Sequence, residues 1–302
     1  MKIQLNPIVK KDMQVTVRSM RMSWGLFAYE AALAVTFLLA LLLIQVESGY
    51  MGGGNIYSDL VYLFPAVAIA QVCIVALYMP IITASSISGE KERQTFDIML
   101  TTCMSPFSIV FGKVISAVIR ILFFVAASMP IMAMSFVVGG LSWSNLLYYL
   151  LALILFSVFA GSVGILASSL CRKSVGAVLL SFVMYFVIFL LTFVPMLAYL
   201  LITRGEYGET PLFLLINPAV FFEEVFAQMM TGQSLLGRNG GTFSLSDVGI
   251  LTYTLARDKV WMFVSAGCIL GMSVLLMGMA AWKVNPLHSG SGRRRGKKKV
   301  AE

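Results

Sequence analysis

Gly89-Glu90-Lys91-Glu92-Arg93-Gln94-Thr95-Phe96, running on through Leu100-Thr101-Thr102 to Ser105-Pro106, separates two apolar segments that are each long enough to cross a bilayer. A passage this charged is too costly to hold in hydrocarbon, so it marks a boundary between spans and reads as a short helix of its own, lying on the membrane. Phe96, Met99, Leu100 and Cys103 keep the i, i+3, i+4, i+7 spacing of one helical face, while Glu90, Gln94, Asp97 and Thr101 fall on another. One face can rest on embedded helices and the other is free for a soluble partner. Ser105 is placed as an N-cap with Pro106 at the first position of the next helix, where a missing N–H costs nothing.

Outward from this stretch the chain is a series of apolar runs. Of its 302 residues 59% are hydrophobic and only 12% charged, and the mean hydropathy of +0.89 lies outside the range of a soluble domain. Spans are expected at about 24–46, 60–87, 113–138, 145–170, 175–202 and 259–281. Each is about 20 residues or longer, which at about 1.5 Å per residue covers the roughly 30 Å hydrocarbon layer. Strand-like alternation is absent, which disfavours a barrel. The expected fold is therefore all-α and polytopic, a single membrane domain over 1–286 with a basic tail at 287–302.

The segments between the spans carry further expectations. Residues 1–22 interleave Lys2, Lys10, Lys11, Arg18 and Arg21 with apolar side chains, as an interfacial helix does; a basic disordered leader is the alternative. The first apolar run starts too late and is too long for a secretory signal, so none is expected. Within the long 203–258 loop, Asn217-Pro218 and the carboxylates Glu223 and Glu224 argue against a seventh span over 211–230, which reads instead as one or two short helices at the outer surface.

Charge fixes the orientation. With six spans both termini share a side with the 88–112 loop and the 171–174 link. That side carries Lys2, Lys10, Lys11, Arg18, Arg21, Lys91, Arg93, Lys113, Arg172, Lys173, Lys283, Arg293, Arg294, Arg295, Lys297, Lys298 and Lys299, which leaves only Arg204, Arg238, Arg257 and Lys259 opposite and Arg120 within a span. By the positive-inside rule this side, and with it the 89–106 stretch, is cytoplasmic. The net charge of +8 thus reads as topology and attraction to anionic lipid rather than nucleic-acid binding.

Most catalytic chemistry lacks its residues. His288, in the tail, is the only histidine, and no Gly-x-x-x-x-Gly-Lys-Ser/Thr phosphate loop occurs. The four cysteines form no CxxC pair and no disulfide framework. No catalytic, metal or cofactor site is expected. Glu30 and Arg120 are ionisable groups inside spans, expected either to pair with each other or to snorkel separately to the interface. Gly267-x-x-x-Gly271 offers close helix packing, within one protomer rather than at a dimer seam, and Gly161-x-x-Gly164 is the weaker signal of the two. Phe221 and Phe222 read as filling lipid-facing and core gaps rather than as a binding box.

Six spans, the Gly89-Glu90-Lys91-Glu92-Arg93-x-Thr95-Phe96-Asp97-x-x-Leu100-Thr101-Thr102 run and the following Ser105-Pro106-x-x-Ile109-Val110-x-Gly112-Lys113 resemble the permease subunit of a type-2 ABC exporter. The resemblance covers nearly the whole chain in topology, and Asn217-Pro218 is similar to that family's outer re-entrant region. It implies a prokaryotic cell membrane, a second permease as homo- or heterodimer, and a separate ATPase subunit that holds ATP and Mg. Residues 90–104 would then be the coupling helix, with Glu90, Glu92, Arg93, Phe96, Asp97 and Leu100 facing the ATPase. Gln94 departs from the resembled family, many of whose members have a small residue such as glycine there, and Cys103 stands where a proline is frequent. The other reading is a non-transporting membrane scaffold or immunity factor that docks a cytoplasmic partner. Apolar span interiors favour an amphipathic cargo.

Overall fold

The computed structural model describes residues 19–50, 60–96, 105–139, 142–202, 212–231 and 260–285. Most of the expected interfacial helix, the basic tail, and the loop on either side of 212–231 lie outside these residues. Helices α1 (Met20–Tyr50), α2 (Leu63–Glu92), α3 (Pro106–Ala127), α4 (Met129–Val138), α5 (Trp143–Leu170), α6 (Ser174–Ile202), α7 (Pro218–Thr231) and α8 (Val260–Val284) are joined by 3₁₀ turns at Leu60–Tyr62 and Leu212–Ile216. Among the described residues six segments are long and apolar enough to span: α1, α2 with its 3₁₀ turn, α3, α5, α6 and α8.

The centre of the bundle is α5, which packs against α2, α3, α6, α7 and α8. From Phe159 to Ser169 every residue of α5 is buried, and a helix apolar all round belongs in such a position. Its small residues set the spacing. A Cβ on Gly164 would stand 1.9 Å from Thr83 Oγ1 and 3.3 Å from the backbone nitrogen of Ala84, so α2 crosses α5 there at the closest approach a backbone allows. Gly161 lies 3.1 Å, on the same measure, from Met79 Cε. Gly267, Gly271 and Gly278 face open space, with no atom within 4 Å. This reverses the expected ranking of the two glycine motifs: only burial tells which glycine face meets a helix.

Three further boundaries differ from the sequence reading. The second span does not stop near residue 87; α2 continues unbroken to Glu92, so Gly89–Glu92 is its last turn rather than the start of a separate helix. Ser105 does cap α3, its hydroxyl accepting from Ser108 N at 3.3 Å with Pro106 in the first turn, which starts the third span seven residues before Lys113. That span then breaks at Ser128, because Pro130 has no N–H to donate and its ring crowds the preceding turn.

The break is stabilised by a buried polar network. Gln71, fully buried on α2, donates from Nε2 to Tyr29 Oη (2.8 Å) and Ser128 Oγ (3.2 Å) and accepts at Oε1 from Tyr149 Oη (2.9 Å). Tyr149 also reaches the Ala68 carbonyl at 3.2 Å, and Ser128 donates to the Val125 carbonyl at 3.0 Å. One amide thereby joins α1, α2, α5 and the α3–α4 junction. The apolar reading of the span interiors misses it.

At the same end of α5 as Trp143, α7 is tucked into the bundle rather than laid on its surface. Phe221, Phe222, Val225, Phe226 and Met229 are buried, with Phe222 edge-on to Phe156 and Phe226 beside Tyr149. Asn217 caps it: Oδ1 accepts from Ala219 N at 2.9 Å, while Nδ2 donates to Thr192 Oγ1 at 2.8 Å. The Leu215 carbonyl accepts from Ser265 Oγ at 2.8 Å, and the 3₁₀ turn and α7 are held against α5, α6 and α8.

Candidate functional site

The end of α2 is a junction for three other spans. Lys113 on α3 donates from Nζ to Glu90 Oε1 at 2.8 Å and to the Ser86 carbonyl at 3.1 Å, with its side chain only 5% exposed. Lys91 reaches the C-terminus of α5, donating to the carbonyls of Ser169 (2.6 Å), Cys171 (3.2 Å) and Ser168 (3.3 Å). Those carbonyls have no intrahelical donor, and the negative end of the helix dipole favours a cation there. Ser174, at the start of α6, hydrogen-bonds Glu92. Ser168 Oγ accepts from the backbone N–H of Ile87 and Ser88, both at 2.9 Å.

The turn itself is a helix stop in Schellman form. Gln94 N–H donates to the Lys91 carbonyl at 3.2 Å and Thr95 N–H to the Glu90 carbonyl at 3.0 Å, with Gln94 at φ 59°. A side chain in this left-handed conformation is strained by about 1–2 kcal/mol relative to glycine. Gln94→Gly is therefore expected to raise the thermal midpoint of the detergent-solubilised protein, a gain of about 1 kcal/mol at most once glycine's greater freedom in the unfolded chain is set against it. A lowered midpoint would refute the left-handed turn. The departure from the family pattern at this position thus lands on the one described non-glycine residue with positive φ.

The sequence-derived residues are placed as follows. Glu90 is half-buried against Lys113, and Phe96 is buried with Lys91 Nζ 5.7 Å from its ring centroid. Glu92 and Arg93 are exposed. Asp97 and Leu100 lie outside the described residues. Glu30 is half-buried on α1, and its Oε1 is buried without a hydrogen-bond partner. Its neighbour Tyr29 donates to Ser128 at 3.3 Å and packs edge-on against Phe124 with ring centroids 5.3 Å apart.

Lys113 and Ser174 are the residues that sequence reasoning overlooks. In sequence, Lys113 is a basic residue at a span boundary and Ser174 a link residue; only the packing of four helix ends gives them partners. Basic side chains also surround the junction, with Arg172, Lys173 and Lys283 exposed on the neighbouring α5–α6 link and α8 end.

Among the described residues no group of three or more His, Cys, Asp or Glu is arranged to hold a metal ion. What the arrangement offers is mechanical: a charged turn bonded into the bundle at several points. Comparison with curated proteins returns no match. The model of a protein family described as ABC-2 family transporter protein matches residues 6–283, a range that takes in five spans, all but the last residue of the sixth, the Gly89–Phe96 turn and α7. The chain therefore belongs to the ABC-2 transporter family and is a multi-pass membrane permease subunit of an ABC transporter.

Proposed function

We propose that this chain moves an amphipathic substrate outward across a prokaryotic cell membrane, driven by ATP that a separate, Mg-dependent ATPase subunit hydrolyses. The observation that carries the reading is the multiple tethering of the α2 turn: Glu90 to Lys113 on α3, Lys91 to the end of α5, and Glu92 to Ser174 on α6. Force applied at Glu92, Arg93 and the segment through Asp97 and Leu100 would reach four spans at once. Phe96 and Glu90 would serve as the rigid base of that docking surface.

In this reading the turn is cytoplasmic and the α7 element lies on the outer side. A second permease, identical or related, would meet the outward apolar face of α6, where Phe186, Leu190 and Leu191 are exposed. Co-purification tests the proposal. Arg93→Glu with Asp97→Arg should release the ABC ATPase while leaving the thermal midpoint of the permease unchanged. Full retention of the ATPase by that variant would remove the docking surface from this turn.

Pairing of Glu30 with Arg120 is a separate proposal with its own test. A swap to Glu30→Arg with Arg120→Glu restores the assembly lost in either single variant if the two pair. Failure of the double variant to restore assembly would refute the pair.

A further inference from the structure

Between α1, α2 and α3 lies a half-open cavity of about 290 Å³, lined by Gly25, Ala28, Tyr29, Ala32, Ile74, Val75, Tyr78, Ile121 and Phe124. Its origin is local. Gly25, Ala28 and Ala32 follow one another at helical spacing on α1, so apart from Tyr29 the face of α1 that lines the gap carries little side-chain volume. Three aromatic rings brace one another around the gap, Tyr29 of α1 edge-on to Phe124 of α3 and Phe124 tilted on Tyr78 of α2, which holds them from collapsing into it.

The walls decide what can occupy it. They are hydrocarbon and aromatic faces, and the Tyr29 hydroxyl is already engaged with Ser128 and Gln71, so water would find too few partners to stay. Left empty, a gap of this size forfeits its dispersion contacts. The mouth opens to the outside of the bundle: the lining residues Ala28 and Ala32 are exposed, and so are the apolar side chains of Val35 on α1 and of Leu122 and Phe123 on α3. It also lies away from α6, which packs on α2 and α5 while α1 packs on α2, α3 and α4.

We infer that this cavity is a binding site for one acyl chain of a membrane phospholipid, which enters sideways between α1 and α3. The bilayer presents such chains to the rim at very high local concentration, and the volume lies at the small end of ligand pockets, enough for part of one chain rather than a whole amphiphile. The inference rests on the chain spanning a membrane, and it deepens the proposed transport reading by giving the permease a lipid contact away from the exposed face of α6.

Photo-crosslinking tests it. The full chain is reconstituted in nanodiscs containing a phosphatidylglycerol whose acyl chain carries a diazirine, irradiated, and mapped by peptide mass analysis. Labelling is expected to concentrate on peptides bearing Ile74, Tyr78, Ile121 and Phe124. Ala32→Phe, which fills the mouth, should lower it by about tenfold, the scale of loss when a ring takes the chain's place, with labelling near Phe186 on α6 unchanged. Phe124→Ala, which enlarges the cavity instead, should raise it, so a folding defect in the first variant does not decide the matter.

Equal labelling of the α6 face and the cavity overturns the inference. So does labelling by a diazirine fatty acid but not by the phospholipid, or cross-linking of Ala32→Cys to a second copy of the chain in place of lipid. Cavity labelling in a protein that captures no ATPase would defeat the coupling reading and leave the lipid site standing.

Discussion

Gly164→Leu is expected to abolish the assembled bundle, and Gly164→Ala to weaken it. At this position the first added carbon already lies 1.9 Å from Thr83 Oγ1, 3.0 Å from Thr83 Cβ and 3.3 Å from the Ala84 nitrogen. Rotating the threonine relieves only the first of these and breaks its 2.7 Å bond to the Met79 carbonyl. The other two atoms move only if α2 moves. Overpacking of this kind costs about 1–3 kcal/mol for one carbon, against which alanine regains about 1 kcal/mol of helix propensity over glycine. Leucine adds three more carbons and no further gain. Thermal midpoints in detergent give the order wild type, Gly164→Ala, Gly164→Leu, and Thr83→Ala in the Gly164→Ala background should restore part of the loss. A Gly164→Leu protein that melts with the wild type would show that α2 and α5 do not cross here.

The second large effect is at Gln71. Replacing it by leucine keeps the volume and removes three hydrogen bonds in one step, to Tyr29, Ser128 and Tyr149. Tyr149 keeps the Ala68 carbonyl and Tyr29 keeps Ser128, so neither phenol is stranded. Bonds of this type are worth about 0.6 kcal/mol on average within membrane bundles and somewhat more in water, which puts the expected loss near 2 kcal/mol. A double-mutant cycle between Gln71→Leu and Tyr29→Phe isolates the α1 contribution, with an expected coupling of about 1 kcal/mol. Strict additivity of the two changes would count against a shared network.

The spans were legible because hydropathy and length respond to the same constraint, the thickness of the bilayer. Their ends were less so. A hydropathy reading stops at Ser88-Gly89-Glu90, but the helix continues, because Lys113 and the α5 carbonyls give Glu90 and Lys91 partners that no linear reading supplies. The break at Ser128 had a local signal in Pro130 that the length of the apolar run concealed. Gln71 is uncharged, so a search for ionisable residues passes over it, and the two glycine motifs look alike until burial separates Gly164 from Gly271. The 89–106 stretch was correctly marked as a boundary between spans, whereas which of its described side chains turn inward depends on the ends of α3, α5 and α6.

The tethers at the Gln94 turn run to α3, α5 and α6, whereas α1 is hydrogen-bonded to the bundle through Tyr29, far up the membrane. If a partner pushes on this turn, as proposed, the tethered spans α2, α3, α5 and α6 would move as a single lever, while α1, which meets the bundle by packing on α2, α3 and α4 and through the Gln71 network, would follow as a hinged flap follows its frame.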